Sequence, residues 1–313
     1  MKETKIGTHN GTFHADDVFS IALLSSLMDG EVVRTRDPDV LERCQFLVDV
    51  GGEYDGHSRF DHHQVGGGGE RANGIPYAGF GLVWKHFGRE WLQEHYPMLA
   101  GYDDGPSWLA VWFYVDCQLV QGIDAGDCGY TLAEWKGDIR PMTMSGLISG
   151  MNPRWNEKRD PDEAFSRAMN VAGEILAQVV EEAIAWAEAE QVVEEAIRES
   201  RKGQSKVMVL KRGGVPWMEH LFSSEEKHSE ALLYVIFPTT EGNPNWMVQC
   251  VPDALGSFGK RKALPESWAG LRGEELANEC GFKSAVFCHI GRFICGADSF
   301  SDAVGMAQTA IEA

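Results

Sequence analysis

Residues 8–17, T-H-N-G-T-F-H-A-D-D, hold two histidines and two aspartates within ten positions. Imidazole and carboxylate are the nitrogen and oxygen donors most used by catalytic divalent metals. Asn10-Gly11-Thr12 is a turn-forming insert that can fold the backbone so that His9 and His14 aim at one place. Asp16 and Asp17 precede an apolar helical run (Val18, Ile21, Ala22, Leu24) and so sit at a helix N-terminus, where the macrodipole favours carboxylates. The same residues also read as a polar strand-to-helix loop with an aspartate cap.

Three further stretches add weight to metal chemistry. Residues 45–52, Q-F-L-V-D-V-G-G, read as a buried strand ending in Asp49 and two glycines. Residues 59–64, R-F-D-H-H-Q, follow a hairpin turn at Asp55-Gly56, and residues 121–127, Q-G-I-D-A-G-D, end an apolar segment. Each places Asp or His at the end of an apolar element, where open α/β sheets carry their ligand-binding groups. In this order H-x4-H-x-D, V-D-V-G-G, D-H-H-Q and I-D-x-x-D resemble the DHH phosphoesterase superfamily. Within it the chain resembles the exonuclease family first described as melanocyte-proliferating-gene proteins. The similarity continues through residues 77–88 (Y-A-G-F-G-L-V-W-K-H-F-G), through R-x-x-L-P-x-x-W-x-G-L-R at 261–272, and through F-C-H-x3-F at 287–293. It covers nearly the whole chain. D-H-H alone is a weak signal; four motifs in order are specific.

The resemblance implies a ligand set. One metal takes His9, His14 and Asp49; a second takes Asp16, Asp49, His62 and Asp124, with Asp49 as the bridge. His14 stands where many relatives in the wider superfamily carry Asp, which changes the charge of the first site. A mixed imidazole–carboxylate shell suits two Mn²⁺ ions, with Mg²⁺ or Co²⁺ as alternatives. Such a pair activates water and holds the attacking and leaving oxygens of a phosphoester. His63 is then left to contact the phosphoryl group or protonate the leaving oxygen, and Asp61 to orient a histidine of the pair. Asp127 reads as a weak ligand or an orienting group, Asp17 and His57 as cap and turn residues. In the C-terminal part, Lys260-Arg261-Lys262 is the densest basic cluster. Such runs are usually solvated, but the resemblance implies phosphate binding by Arg261, with His289 and Arg292 in its substrate stretch. No aromatic can be singled out for base stacking among 10 Trp.

The elements needed to hold these groups are legible as alternating strands and helices. Strands are expected over 5–9, 31–36 and 47–50, with helices over 16–28 and 78–96. A strongly apolar stretch, 108–123, reads as a buried helix that delivers Asp124 and Asp127. Residues 162–202 form the most helical stretch, a structural spine or an oligomer surface, and Gly203 stops it. Strands follow over 207–210, 232–237 and 246–251, then a hairpin around Ile290-Gly291 and a last helix over 299–311. The expected fold is therefore α/β. A DHH-type metal domain with a parallel sheet occupies 1–203, and a smaller α/β substrate domain occupies 204–313, the two joined by the long helix. The resemblance implies that the second faces the first across a cleft. The glycines at 66–69 read as a mobile loop or as a flap beside His62 and His63.

At 313 residues the chain is long enough for two domains. The net charge is −19; residues 204–313 hold 10 basic and 13 acidic residues, which leaves −16 on residues 1–203. That acidity argues against non-specific coating of nucleic acid but not against a nucleic-acid enzyme, because bound cations and a local basic patch reverse the sign at a site. Seven scattered cysteines, with no C-x2-C pair, suit a reducing compartment. With no leader-like start and no membrane-length apolar run, a cytoplasmic location is expected. The functional expectation is a two-metal phosphoesterase, a 3′–5′ exonuclease on short single-stranded RNA or DNA. The alternatives are hydrolysis of a small phospho-compound (nucleotide, dinucleotide or pyrophosphate) and a non-enzymatic metal- or nucleotide-binding protein.

Overall fold

A computed structural model describes residues 4–99, 107–134, 136–139, 141–239 and 245–313. The chain forms two compact units, Met1–Ala187 and Glu188–Ala313.

The first unit begins β1 (Lys5–Thr8), α1 (Ala15–Met28), β2 (Glu31–Arg34), α2 (Pro38–Leu41), β3 (Phe46–Val48) and β4 (Arg59–Phe60). The sheet order is β2-β1-β3-β4 and every pair is parallel, with Ile6 opposite Val32 and Phe46, and Val48 opposite Phe60. His9, Asp49 and Asp61 therefore leave one edge of the sheet, just past the C-terminal ends of β1, β3 and β4. A hairpin was expected between β3 and β4, but the two strands run in the same direction. Asp55 explains the difference: its Oδ1 accepts from the backbone N–H of His57, Ser58 and Arg59 and reverses the chain in a tight loop. The antiparallel pairing that remains there is a single Tyr54–Phe60 bridge.

Helix α1 packs at the centre of this unit, with Val18, Phe19, Ile21 and Leu24 fully buried. Next come α3 (Gly79–His95), α4 (Trp108–Val115), a π-helical turn (Asp116–Val120) and α5 (Gln121–Asp127). The stretch expected to be a buried helix is helical but buried on one face only. Val111, Val115, Val120 and Ile123 face the core, while Leu109 and Phe113 are 55% and 61% exposed. After α6 (Met144–Ser149), α7 (Pro161–Lys202) runs for 42 residues. Phe165, Ala168, Ala172, Leu176, Val180 and Ala183 recur every three or four residues and close the first core. Its last turns, through Val193, Ala196 and Ile197, belong to a core of the second unit. Gly203 marks where the helix ends; the compact units divide inside it. The 66–69 glycines form a closed turn in which Gln64 Nε2 donates to the Gly67 carbonyl at 2.7 Å. Gly66, Gly67 and Gly69 have φ of 95°, 64° and 83°, a region that favours glycine.

The second unit contains β5 (Val207–Val209), α8 (Trp217–Ser223), β6 (Tyr234–Pro238), β7 (Trp246–Cys250), α9 (Gly273–Cys280), β8 (Ala285–Cys288), β9 (Ile294–Ala297) and α10 (Phe300–Glu312). Its sheet order is β5-β6-β7-β9-β8, parallel between β5 and β6 and antiparallel elsewhere. Among the described residues no helix is long and apolar enough to cross a membrane.

Candidate metal centre

Asp49 lies at the middle of the cluster and its backbone is bent to put it there. Its φ is 54°, a left-handed conformation rare outside glycine, and Gly51 and Gly52 continue at 102° and 70°. Strain of this kind persists only where the surroundings impose it, most often at functional sites. The bend brings Asp49 Oδ2 to 3.2 Å from His9 Nε2, and Oδ1 to 3.2 Å from His62 Nε2 and 3.3 Å from His63 Nδ1. His62 Nε2 also lies 3.1 Å from Asp127 Oδ2 and 3.7 Å from Asp16 Oδ2. His14, at the N-cap of α1, places Nδ1 3.6 Å from Asp127 Oδ1. Three overlapping groups of donors result: His9, His14 and Asp49; Asp49, His62 and His63; His14, Asp16 and Asp127.

A divalent cation fits this donor set. Asp16 Oδ1, Asp49 Oδ1 and His62 Nε2 are buried without a hydrogen-bond partner, so their lone pairs converge without satisfying one another. The charges conflict in the same way. Burial pushes the Asp16 carboxyl well above its usual range, and the neighbouring carboxylates of Asp49, Asp127 and Asp17 add to it. Burial likewise lifts Asp17 to about 7 against the attraction of His9. Burial would lower His62, but the carboxylates of Asp127 and Asp49 outweigh it and push the imidazole up to about 12. Burial would raise Asp49, but His62 and His9 outweigh it and hold its carboxyl below the ordinary range. Protein groups alone resolve this crowding only by sharing protons; a cation resolves it by direct charge neutralisation.

The surrounding residues fix the cluster. His9 Nδ1 sits 3.1 Å from the Asn10 carbonyl, which turns Nε2 toward Asp49. Asp17 does two things: Oδ1 accepts the His14 N–H at 2.9 Å, closing the first turn of α1, and Oδ2 lies 3.3 Å from His9 Nε2. Asp61 is buried and accepts from Gly52 N–H at 2.6 Å and from His63 Nδ1 at 2.8 Å. The His63 ring, with 63% of its side chain exposed, is thereby held by one nitrogen and open at the other. Helix α3 points its N-terminus at the site, where Gly79 N–H donates to Asp16 Oδ2 and Gly81 N–H to Asp124 Oδ1. A Cβ at Gly81 would overlap the Asp124 carboxylate.

Asp124, expected as a metal ligand, is not among the three donor groups of the described residues. It is fully buried, and its Oδ2 pairs with Arg71 Nη1 at 2.8 Å, one turn of α5 away from the donors that Asp127 joins. Arg71 also makes a bidentate pair with Asp116, at 2.9 and 3.1 Å, and stacks over Tyr77 at 4.2 Å. Burial raises the Asp124 carboxyl to about 7 against Arg71's attraction. Arg71 is a site residue that sequence reasoning missed. The signal that could have found it is Asp116, a lone carboxylate in an apolar helix, which demands a buried cationic partner. Cys128, also unflagged, places Sγ 3.8 Å from His62 Nδ1.

The expected substrate residues of the second unit are not alike. Arg261 donates to the backbone carbonyls of Ser229 and Leu232 and lies 5.1 Å from the Phe222 ring, so its guanidinium ties loops together. Lys262 Nζ donates to the Ile311 carbonyl at 2.8 Å. His289 is exposed, lies 4.6 Å from the Phe293 ring with the planes tilted by 55°, and accepts from Gly291 N–H at 2.9 Å. Arg292 turns the β8–β9 hairpin with φ of 54°.

Residues 5–311 match the model of the MYG1 exonuclease family, described as "Uncharacterised protein family (UPF0160)". The chain is 36% identical to MYG1 exonuclease of Mus musculus over 99% of its own length and 86% of the mouse protein. It is 34% identical to MYG1 exonuclease of Homo sapiens, over 99% and 86%. It is 35% identical to a MYG1 protein of Caenorhabditis elegans, over 98% and 95%. A solved pGpG-specific phosphodiesterase from Vibrio cholrae aligns over the whole chain at 13% identity with a TM-score of 0.28, too distant to argue from.

Proposed function

The chain belongs to the MYG1 exonuclease family, and from that premise we propose that it is a divalent-metal-dependent phosphodiesterase of DHH type, trimming short single-stranded RNA or DNA from the 3′ end. The observation that carries this reading is the convergence of His9, His14, Asp16, Asp49, His62 and Asp127, from the ends of three parallel strands and two helices, with buried lone pairs left unsatisfied. These six residues would hold the metal ions, with Asp49 common to two of the donor groups. The mixed imidazole–carboxylate set suits Mn²⁺. Bound there, the ions would supply Lewis-acid activation of water and charge neutralisation at the phosphate.

The rest of the chemistry belongs to the chain. Asp61 accepts the Nδ1 proton of His63, which fixes the tautomer and leaves Nε2 toward solvent. His63 protonated at Nε2 would deliver that proton to the leaving oxygen as the P–O bond breaks and the water oxygen bonds to phosphorus, while the proton lost by the water passes to solvent, from which His63 is reprotonated. Asp124 and Arg71 do not touch the reacting atoms in this reading; they set the position of α5, which presents Asp127. A cavity of about 280 Å³ lined by His14, Asp16, Asp127 and Ser145 adjoins the cluster. His289 and Arg292 are proposed as phosphate contacts from the second unit, and Arg261 as the bracket of its own loop.

The test is hydrolysis of 5′-labelled RNA and DNA oligonucleotides with Mn²⁺, beside a dinucleotide and pyrophosphate. A ladder shortening one nucleotide at a time, lost in EDTA, is expected. Hydrolysis of pyrophosphate alone, or cleavage indifferent to chelation, contradicts the reading.

A further inference from the structure

We infer that residues 153–160 form a substrate-positioning strip for single-stranded nucleic acid, with Trp155 stacking on a base and Arg154 and Lys158 contacting phosphates. The inference rests on the proposed nucleic-acid substrate and adds residues that this reading did not supply.

The strip is tied to the metal-binding loop at both ends. On one side Phe13 N–H donates to Asn152 Oδ1 at 3.0 Å and Asn152 Nδ2 donates back to the Phe13 carbonyl at 2.9 Å. Phe13 directly precedes His14. On the other side Arg34 donates to Asp162 Oδ1 at 2.7 Å and to the Gly11 carbonyl at 2.8 Å. The Arg34 guanidinium lies 4.4 Å from the Phe165 ring and 5.8 Å from the Phe13 ring, so the Arg34 end of this tie is packed while Asp162 stays exposed. Two residues, Pro153 and Arg154, separate Asn152 from Trp155, so three steps of chain reach at most roughly 11 Å. Trp155 is therefore within reach of the next few nucleotides of a strand whose end lies at the metal cluster.

Within the strip a closed turn fixes what is displayed. Glu157 N–H donates to the Arg154 carbonyl at 2.9 Å, and Arg154 N–H to Glu157 Oε2 at 3.3 Å. Trp155 and Asn156 are the two central residues of that turn. Trp155 is 97% exposed, a large apolar ring held in water by a braced backbone. Folding alone does not call for such exposure, and an indole face is a sequence-tolerant partner for any base. The charges around it run against the rest of the unit. Arg154, Lys158 and Arg159 against Glu157 and Asp160 leave the strip one charge positive, in a region of the chain that carries −16. Arg159 pairs with Glu157 at 2.5 Å, which leaves Arg154 and Lys158 exposed for phosphate. A basic, aromatic turn in an acidic surface marks the path that a polyanion can take.

Fluorescence anisotropy with labelled single-stranded oligonucleotides of increasing length, on the full chain with Mn²⁺, tests this. Trp155→Ala should weaken binding of a ten-nucleotide strand roughly tenfold, and Trp155→Phe should restore most of it. The Trp155→Ala defect should shrink toward none for a dinucleotide too short to reach the turn. Arg154→Ala with Lys158→Ala should make the log–log salt dependence shallower by about 1.4. A protein that binds strands in a Trp155-dependent way but does not cut them upholds the strip and sinks the hydrolase reading. Equal losses for short and long strands, or strand binding indifferent to Trp155, overturn the strip.

Discussion

In the proposed reading, His63 and Asp127 are where single residues would decide the chemistry. Asp61 holds one nitrogen of His63 and the other faces solvent. His63→Ala should therefore lower kcat on an oligonucleotide by roughly 10²–10⁴ while metal content stays at the wild-type level. Loss of a metal instead would make His63 a ligand and leave the leaving oxygen without its proton donor. Asp124 and Asp127 lie one helical turn apart, and only three-dimensional contacts tell them apart. Asp127→Asn should weaken Mn²⁺ binding by at least roughly tenfold, whereas Asp124→Asn should lower stability first. Titration of both variants with Mn²⁺, followed by isothermal calorimetry, separates the roles; equal losses of affinity would return Asp124 to the donor set.

At the scale of elements, α5 owes its position to the buried Arg71–Asp116–Asp124 network beside the π-helical turn. Arg71→Met removes the cation between two buried carboxylates and should cost about 3–5 kcal/mol of stability, read from the urea midpoint. A change under about 1 kcal/mol would mean that the network is not what holds α5. This network also marks where sequence reading stops. The ends of β1, β3 and β4 were legible because apolar runs terminate in Asp or His, and α1, α3, α7 and α10 because their apolar spacing is regular. Arg71 was not, since it lies in a glycine-rich turn with no periodicity and its partners stand 45 and more residues away. The parallel pairing of β3 with β4 was hidden by a local turn signal at Asp55-Gly56 that governs only the loop. The exposed flank of α4 could not be read either, because Leu109 and Phe113 are as apolar as the residues that face the core.

For the whole molecule the proposed function poses a problem of charge: a chain at −19 would have to accept a polyanion. On that reading, metal ions in the cluster and a few basic side chains would offset the field. The salt dependence of oligonucleotide binding should accordingly be shallow, with a log–log slope between about −1 and −3 at fixed Mn²⁺, since few phosphates meet side chains. A slope steeper than about −5 would point to a broad basic surface that residues 1–203 do not have. The most direct test of the account joins metal content to turnover. Inductively coupled plasma analysis of the wild type and of Asp49→Asn, each dialysed against Mn²⁺, is run beside 5′-labelled oligonucleotide cleavage. The account predicts two ions per wild-type chain, fewer than one in Asp49→Asn, and cleavage that falls with them and vanishes in EDTA. Two ions retained by Asp49→Asn, or strand cleavage by the metal-free chain, would contradict it.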